Sequence, residues 1–184
     1  MIVGLGYQAG VGKDTAAKAL KKYGFKRLAF ADTLKDVALE SDPTIVVERD
    51  GKTAITASLR DVVYELGWEE AKRIPDVRRY LQNLGVAARQ HVSEDVWVRN
   101  VIAEARLAEA AGHHVAITDV RFPNEFEAIK EQGGWLIALS RPGVAGAGDH
   151  VSEHALADYP WDFRIKNDST VKDLELKLVE VLGI

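Results

Sequence analysis

The sequence contains no cysteine and no long run of apolar residues. Without cysteine the chain has neither a disulfide framework nor thiolate chemistry, which fits a reducing compartment. No segment approaches the ~20 apolar residues that a membrane-spanning helix needs. The apolar opening MIVGLG is too short for a signal peptide and lacks its basic flank. We therefore expect a soluble, cytoplasmic protein that makes no membrane contact.

An excess of positive charge is also missing. The net charge is −4 and the isoelectric point is about 5.8, so the chain has no overall attraction for a nucleic acid polymer. Its 184 residues, 47% of them hydrophobic, suffice for one domain with a sizeable core and are too few for two full domains. We expect a single domain whose partners are small molecules, with a homodimer left open.

Buried-strand patterns alternate with helix patterns along the chain. This alternation favours the α/β class, a mainly parallel sheet covered by helices on both faces. A hairpin is predicted within 42–58 and mostly helical structure over 59–112, where Pro75 begins a helix and Gly67 and Gly85 are soft interruptions. Strands are predicted at 2–6, 25–31, 113–120, 135–140 and 162–168, and further helices at 14–24, 32–40 (with Asp32 as cap), 123–134 and 170–183.

The stretch GLGYQAGVGKDT, residues 4–15, is close to a phosphate-binding loop but departs from it twice. The spacing G-x-x-x-x-G-K-[ST] would place a glycine at position 7, where the chain has Tyr7. It would also place a hydroxyl directly after the lysine, where the chain has Asp14. Thr15 supplies that hydroxyl one position later, in a G-K-x-T arrangement.

The loop nevertheless has the parts that cradle phosphates. Gly10 and Gly12 allow a tight turn with inward N–H groups, Lys13 can reach β and γ phosphates, and a helix N-terminus follows. The alternative is an ordinary glycine-rich turn with an exposed lysine. The predicted nucleotide contacts are Ala9, Gly10, Val11, Gly12, Lys13, Asp14 and Thr15.

Charged residues follow two later strands, where α/β sheets collect ligands. Arg121 comes two residues after the predicted strand end, and its planar guanidinium suits a phosphate. Arg141 follows the next strand and opens the glycine-rich stretch 141–153, which we interpret as a lid.

Asp119 ends the strand VAITD and, with Thr15, is predicted to hold Mg²⁺; a helix-capping aspartate is the alternative. Lys13, Arg121 and Arg141 are the predicted catalytic residues.

The segments GVGKDT, FADTLKD, YLQNLGVAARQHVSEDVWV, ITDVRFPNEFEAI and DHVSEH occur in this order. Together they resemble the deoxynucleoside monophosphate kinases of tailed bacteriophages, members of the P-loop kinase superfamily, from Met1 to about His154. The resemblance implies a three-layer α/β/α core with five parallel strands, a helical monophosphate-binding part and a lid. It also implies transfer of the γ-phosphate of ATP to a deoxynucleoside monophosphate with Mg²⁺, in the host cytoplasm if the protein is of phage origin.

Further substrate-binding residues are expected between the first and third predicted strands. By resemblance, Asp32 and Lys35 face the monophosphate. Trp97 matches a family tryptophan and is a candidate to stack on a base or a ribose, although packing is the more common role of a tryptophan. Gln82 and Arg89 share a helical face if Gly85 does not break the helix. Asp119 and Arg121 complete the substrate-binding set. The resulting partition is a core at 1–41 and 113–184, an insertion at about 42–112 and the lid.

Other functions remain as alternatives at this point. The chain also suits a dephospho-coenzyme A or shikimate kinase, or a nucleotide-dependent switch that hydrolyses ATP slowly. The stretch from His150 to His154 matches H-x-x-E-H, a zinc-protease motif, but the glycine-rich lead disfavours the rigid helix that motif requires.

Overall fold

The computed structural model describes residues 1–7, 9–50, 53–144 and 155–184. These residues form two compact units, one of residues 1–30 and 98–184 and the other of residues 31–97. In this part of the chain no helix has the length and apolar character needed to cross a membrane. The elements in chain order are β1 (Ile2–Tyr7), α1 (Lys13–Leu20), a 3-10 turn (Lys21–Tyr23), β2 (Phe25–Leu28), α2 (Phe30–Ser41), β3 (Thr44–Asp50), β4 (Thr53–Ser58), α3 (Leu59–Ala71), α4 (Pro75–His91), α5 (Val96–Ala110), β5 (His114–Val120), α6 (Pro123–Glu131), β6 (Trp135–Ser140), β7 (Phe163–Lys166) and α7 (Val171–Leu182).

The first unit is built on a five-stranded sheet in the order β2-β5-β1-β6-β7. Every neighbouring pair in it is parallel. Such a sheet needs crossover connections, which the intervening helices supply. The predicted five-stranded parallel α/β fold is confirmed.

Both faces of this sheet are buried, as the apolar composition of its strands requires. On one face Leu5 packs with Leu20 of α1 and Leu178 of α7 in a shared cluster. On the other face Ile117 packs with Phe126 of α6 and with apolar residues of α5. Two helical layers therefore cover the sheet, and β1 lies at its centre.

The second unit contains the antiparallel pair β3–β4, which confirms the predicted hairpin. Its core joins Ala38 of α2, Ile45 of β3, Leu59 of α3 and Leu81 of α4. Helix α2 after Phe30 packs in this core, whereas α5 from Val98 onward packs in the core of the first unit. The second unit therefore spans residues 31–97, and it begins and ends earlier than the predicted insertion at about 42–112.

Three local predictions need correction. Gly85 does not interrupt its helix, since α4 runs unbroken from Pro75 to His91, whereas Gly67 does kink α3 with φ 71° and ψ 162°. Asp32 is not a cap because α2 already begins at Phe30. The strand predicted at 113–120 is present as β5, but Asp119 does not end it, because β5 continues to Val120 and Arg121 follows it directly. The predicted lid from residue 145 onward, including the His150–His154 motif, lies outside the described residues.

Candidate active site

The predicted phosphate loop follows the central strand at the carboxyl edge of the sheet. Near this edge Gly6 of β1 is in register with Val120 of β5, and Tyr7 is in register with Leu139 of β6. The chain that leaves β1 therefore lies between the ends of two neighbouring strands. These strands lead directly to Arg121 and Arg141.

The loop has the backbone conformation that its glycines predict. Gly10 has φ 75° and Gly12 has φ 101°, a region that side chains with a Cβ rarely adopt. Gly12 is the N-cap residue of α1, and its carbonyl accepts the N–H of Ala16 at 2.9 Å. A left-handed turn that runs into a helix N-terminus presents backbone N–H groups and the positive end of a helix dipole, so it suits an anion.

The three side chains that open α1 have different environments. Lys13 is only 8% exposed. Asp14 is 71% exposed at its side chain and accepts a hydrogen bond from Nε of Arg27 on β2 at 3.3 Å. Thr15 is half-buried. Among these three side chains only Thr15 carries a hydroxyl, so it is the one that offers this group in the first turn of α1.

Asp119 makes a contact that joins two elements of the first unit. Its Oδ1 accepts the backbone N–H of Phe30, the first residue of α2, at 2.8 Å. The capping role that the sequence suggested for Asp32 thus belongs to a residue far away in sequence. The carboxylate of Asp119 is half-buried, and an ionised carboxylate can accept more than one bond because it has about four lone-pair sites.

Arg121 lies on a backbone segment that Glu125 organises. Oε2 of Glu125 accepts the N–H groups of Arg121 at 2.7 Å and Phe122 at 3.0 Å, and Glu125 is 2% exposed. The role of Glu125 was not predicted from the sequence. A signal was present, because Pro123 followed by a glutamate two positions later is typical of the first turn of a helix with an acidic N3 residue.

Arg141 is exposed and begins a turn beside the phosphate loop. The carbonyl of Arg141 accepts the N–H of Val144 at 3.2 Å. A Cβ placed on Gly10 would lie 3.5 Å from Cγ1 of Val144, an ordinary van der Waals distance. The segment 141–144 therefore packs against the loop, which brings the backbone of Arg141 to the same edge of the sheet.

Asn167 is a second residue that sequence reasoning missed. It follows β7, and its side-chain amide donates to the carbonyl of Val11 at 2.9 Å. Beside it, hydrogen bonds from Lys177 and then Lys166 hold the pKa of Asp168 below its usual range. The carboxylates of Asp173 and then Asp168 raise the pKa of Lys177. The only sequence signal was the position of Asn167 at the carboxyl end of a strand.

The residues Asp32, Lys35, Gln82 and Arg89, which are predicted to bind the monophosphate, lie in the second unit, on α2 and α4. Nζ of Lys35 donates to Oδ1 of Asp32 at 3.0 Å, so these two side chains form a local ion pair. On α4, Gln82 is exposed and Arg89 is half-buried, two turns apart on one face. Gly85 lies between them and faces Leu34 of α2, from which an added Cβ would be 3.7 Å away.

Trp97 is buried, with 5% of its surface exposed. Its indole nitrogen donates to the carbonyl of Gly85 at 3.4 Å, a long hydrogen bond. The side chain thus has the packing role that tryptophan most often takes, and it stands against the same turn of α4 as Leu34. Of the other tryptophans, Trp161 is 8% exposed, whereas Trp135 is 42% exposed.

Across the described ranges no three His, Cys, Asp or Glu side chains cluster as a metal cage. Mg²⁺ at phosphate sites seldom uses such a cage, because it is usually held by one or two carboxylates, water and the phosphates themselves. Asp119 and Thr15 fit that smaller ligand set by their chemistry.

Comparison with known proteins gives consistent matches. A family model described as deoxynucleotide monophosphate kinase matches residues 38–178. A protein of Acanthamoeba polyphaga mimivirus, provisionally named a deoxynucleotide monophosphate kinase, is 29% identical over 193 residues, which cover 97% of this chain and 94% of its own length. The deoxynucleoside-5'-monophosphate kinase of Escherichia phage T5 is 29% identical over 184 residues, covering 71% of this chain and 72% of its own length.

Among solved structures, a sugar kinase from a Janibacter species superposes with a TM-score of 0.52 at 13% identity, covering 100% of this chain and 94% of its own. This likeness shows the fold alone.

Proposed function

The chain belongs to the deoxynucleotide monophosphate kinase family, and we propose that the loop after β1 is where it holds ATP for phosphoryl transfer. The protein is accordingly an enzyme that transfers a phosphoryl group to a deoxynucleoside monophosphate, with ATP as donor. The resemblance and the activity predicted from the sequence are both confirmed. The family match favours this activity over the dephospho-coenzyme A, shikimate and switch alternatives.

The observation that carries the proposed site is the left-handed turn at Gly10 and Gly12 leading into α1 at the carboxyl edge of the sheet. In the reaction, an oxygen of the monophosphate forms a bond to the γ-phosphorus of ATP. The bond from that phosphorus to the β–γ bridging oxygen breaks, and ADP leaves with the electron pair. The attacking oxygen is already ionised, so catalysis depends on positioning and on stabilising negative charge.

The loop and its neighbours supply that stabilisation in the first unit. The backbone N–H groups of Ala9–Thr15 bind the phosphates, and the ammonium of Lys13 lies against the β and γ phosphates. Arg121, whose backbone is held by Glu125, contacts the transferring phosphoryl group through two parallel N–H bonds. Arg141 adds a second guanidinium from the end of β6.

Thr15 and Asp119 are the residues proposed to hold Mg²⁺, directly or through its water shell. When bound, the ion would neutralise part of the phosphate charge. The hydrogen bond from the Phe30 N–H fixes the orientation of the Asp119 carboxylate. The carboxylate therefore does not have to become ordered when the ion binds.

In the second unit, Asp32, Lys35, Gln82 and Arg89 are proposed to bind the deoxynucleoside monophosphate. The proximity of α2 and α4 at Leu34 and Gly85 supports this grouping. Lys35 and Arg89 provide positive charge for the phosphate, and the amide of Gln82 suits the edge of a base. Trp97 supports the turn of α4 at Gly85.

The test is a coupled ADP-release assay with ATP, Mg²⁺ and each of the four deoxynucleoside monophosphates, beside their ribose counterparts. We expect ADP release that depends on an added monophosphate. ADP release at the same rate without an acceptor would instead indicate an ATPase and would reject the proposed role. Replacing Mg²⁺ with EDTA should abolish transfer, and full activity without a divalent ion would remove Thr15 and Asp119 from the proposal.

A further inference from the structure

We propose that Asn167 is a positioning residue that holds the phosphate loop in the shape that binds ATP. The inference rests on the proposed function of the Ala9–Thr15 loop and adds to it a residue 156 positions beyond Val11. Asn167 is not proposed to touch the phosphates.

The contact itself determines the direction of a loop peptide. Nδ2 of Asn167 donates to the carbonyl oxygen of Val11 at 2.9 Å. A carbonyl can only accept, so the amide nitrogen of Asn167 must face it. In a planar trans peptide the C=O and N–H groups point in opposite directions. Fixing the Val11 carbonyl therefore also fixes the Gly12 N–H, which points away from Asn167.

A second contact fits the same side chain to the loop. A Cβ placed on Gly12 would lie 2.5 Å from Nδ2 of Asn167, a distance that real Cβ atoms essentially never show. Asn167 thus occupies the space that a side chain at position 12 would need. The hydrogen bond and this close approach act on adjacent residues, Val11 and Gly12.

The backbone that carries Asn167 is held from two sides. The N–H of Asn167 donates to the carbonyl of Ser140 at 2.8 Å. From α7, Nζ of Lys177 donates to the carbonyl of Lys166 at 2.9 Å and to Oδ1 of Asp168 at 3.1 Å. Because the backbone at Asn167 is already held, the bond to Val11 has to order only the side chain of Asn167 and not its backbone.

A phosphate cradle works only if its N–H groups converge on the anion. If the Asn167 bond is lost, the Val11–Gly12 peptide can rotate and the Gly12 N–H no longer has a fixed direction. The affinity for ATP should therefore fall. The affinity for the deoxynucleoside monophosphate should change little, since none of the residues expected to bind it lies in the Ala9–Thr15 loop.

The experiment compares Asn167→Ala and Asn167→Asp with the unaltered enzyme. The Kd of ATP is measured by calorimetry and the KM of the monophosphate by steady-state kinetics. For Asn167→Ala we expect the Kd of ATP to rise about tenfold, the effect of one net hydrogen bond, with the KM of the monophosphate changed less than twofold. Asn167→Asp has the same shape but places an oxygen against the Val11 carbonyl, so its Kd of ATP should rise further.

Matched controls are Asn100→Ala and Asn100→Asp, on the exposed side of α5, which should leave the Kd of ATP unchanged. An unchanged Kd of ATP in both Asn167 variants, or an equal rise in the constants of both substrates, would overturn the inference. If Asn167→Ala does not fold, the isosteric Asn167→Asp decides the question, and loss of folding in both variants would overturn it as well.

Lys13→Ala, assayed in parallel, separates this inference from the proposed function. If Lys13→Ala loses transfer while the Asn167 variants bind ATP normally, the loop keeps its proposed role and the positioning role is rejected. If Lys13→Ala transfers phosphate normally, the proposed role of the loop is rejected, and the positioning role with it.

Discussion

The carboxylate of Glu125 accepts the backbone N–H of Arg121 at 2.7 Å, at the point where the chain leaves β5. The same oxygen accepts the N–H of Phe122 at 3.0 Å. Glu125 is 2% exposed, so the two backbone donors and the carboxylate satisfy one another away from solvent. The backbone from which Arg121 projects is therefore fixed by a residue of the following helix.

Replacing Glu125 should reduce stability before it affects chemistry. Glu125→Ala leaves two partly buried backbone N–H groups without this acceptor, so the free energy of unfolding should fall by about 2–4 kcal/mol. Urea unfolding followed by circular dichroism measures the change. Glu127→Ala, at an exposed position of the same helix, is the control and should change the free energy by less than about 0.5 kcal/mol. Equal losses in the two variants would contradict the role of Glu125.

Lys13 should be essential for turnover but not for folding. Lys13→Ala removes the ammonium that compensates charge on the β and γ phosphates, so turnover should fall by about a hundredfold or more. The coupled ADP-release assay measures turnover, and circular dichroism verifies the fold. Lys18→Ala, exposed on the same helix, should retain activity. An active Lys13→Ala enzyme would reject the phosphate-loop assignment.

Arg121 should require its guanidinium and not only its charge. Arg121→Lys keeps the positive charge but loses the planar pair of donors, so turnover should fall about tenfold to a hundredfold. The matched substitution Arg99→Lys, at an exposed position of α5, should have no effect on the same assay. A normal rate in Arg121→Lys would make Arg121 a surface residue with no part in transfer.

Arg141 should contribute more to turnover than to ATP binding. Its proposed contact is with the phosphoryl group during transfer, and an interaction that strengthens in the transition state changes the rate without an equal change in affinity. For Arg141→Ala we expect the turnover to fall by a larger factor than the Kd of ATP rises, from the assay and calorimetry together. Arg164→Ala, exposed on the neighbouring β7, is the control. An equal change in both constants would place Arg141 in simple ground-state binding.

The charge cluster beside Asn167 gives a prediction on pH. Lys177 and Lys166 hold the pKa of Asp168 below its usual value, so the stability that Asp168 contributes is present above its unfolded pKa and is lost as the pH falls through its folded pKa. Lys177→Met removes the larger cause, and the pKa of Asp168 should rise toward its ordinary value. NMR titration of the side-chain carboxyl carbon measures it. An unchanged pKa would mean that Lys177 does not bond to Asp168 in solution.

Much of this protein could be predicted because its signals are local in the sequence. The apolar runs of β1, β5 and β6, separated by helix patterns, were sufficient for the parallel α/β fold, since burial on both faces requires continuous apolar strands. The hairpin β3–β4 and the helix start at Pro75 follow from short-range patterns in the same way. The proposed phosphate loop is contiguous, so Gly10 to Thr15 could be proposed from the sequence in spite of Tyr7 and Asp14.

Local patterns also led to the errors. Aspartate is a residue type that often caps helices, which is why Asp32 was predicted as the cap. The first N–H group of α2, that of Phe30, instead bonds to Asp119, and this contact depends on where β5 ends relative to Phe30. Gly85 has a low helix propensity, yet the packing of α4 against Leu34 keeps the helix continuous, because tertiary contacts outweigh a cost of about 1 kcal/mol.

The sequence by itself determined the fold class and the family, and it indicated the glycine-rich loop that we propose binds ATP. Only the tertiary structure decided that Asp14 pairs with Arg27, that Glu125 holds the backbone of Arg121, and that Asn167 reaches Val11 from the other end of the chain. The physical reason is that periodicity records which face of an element is buried, whereas a side-chain hydrogen bond requires a distance and a direction. Those two quantities are set only when the strands have paired and their carboxyl ends lie side by side.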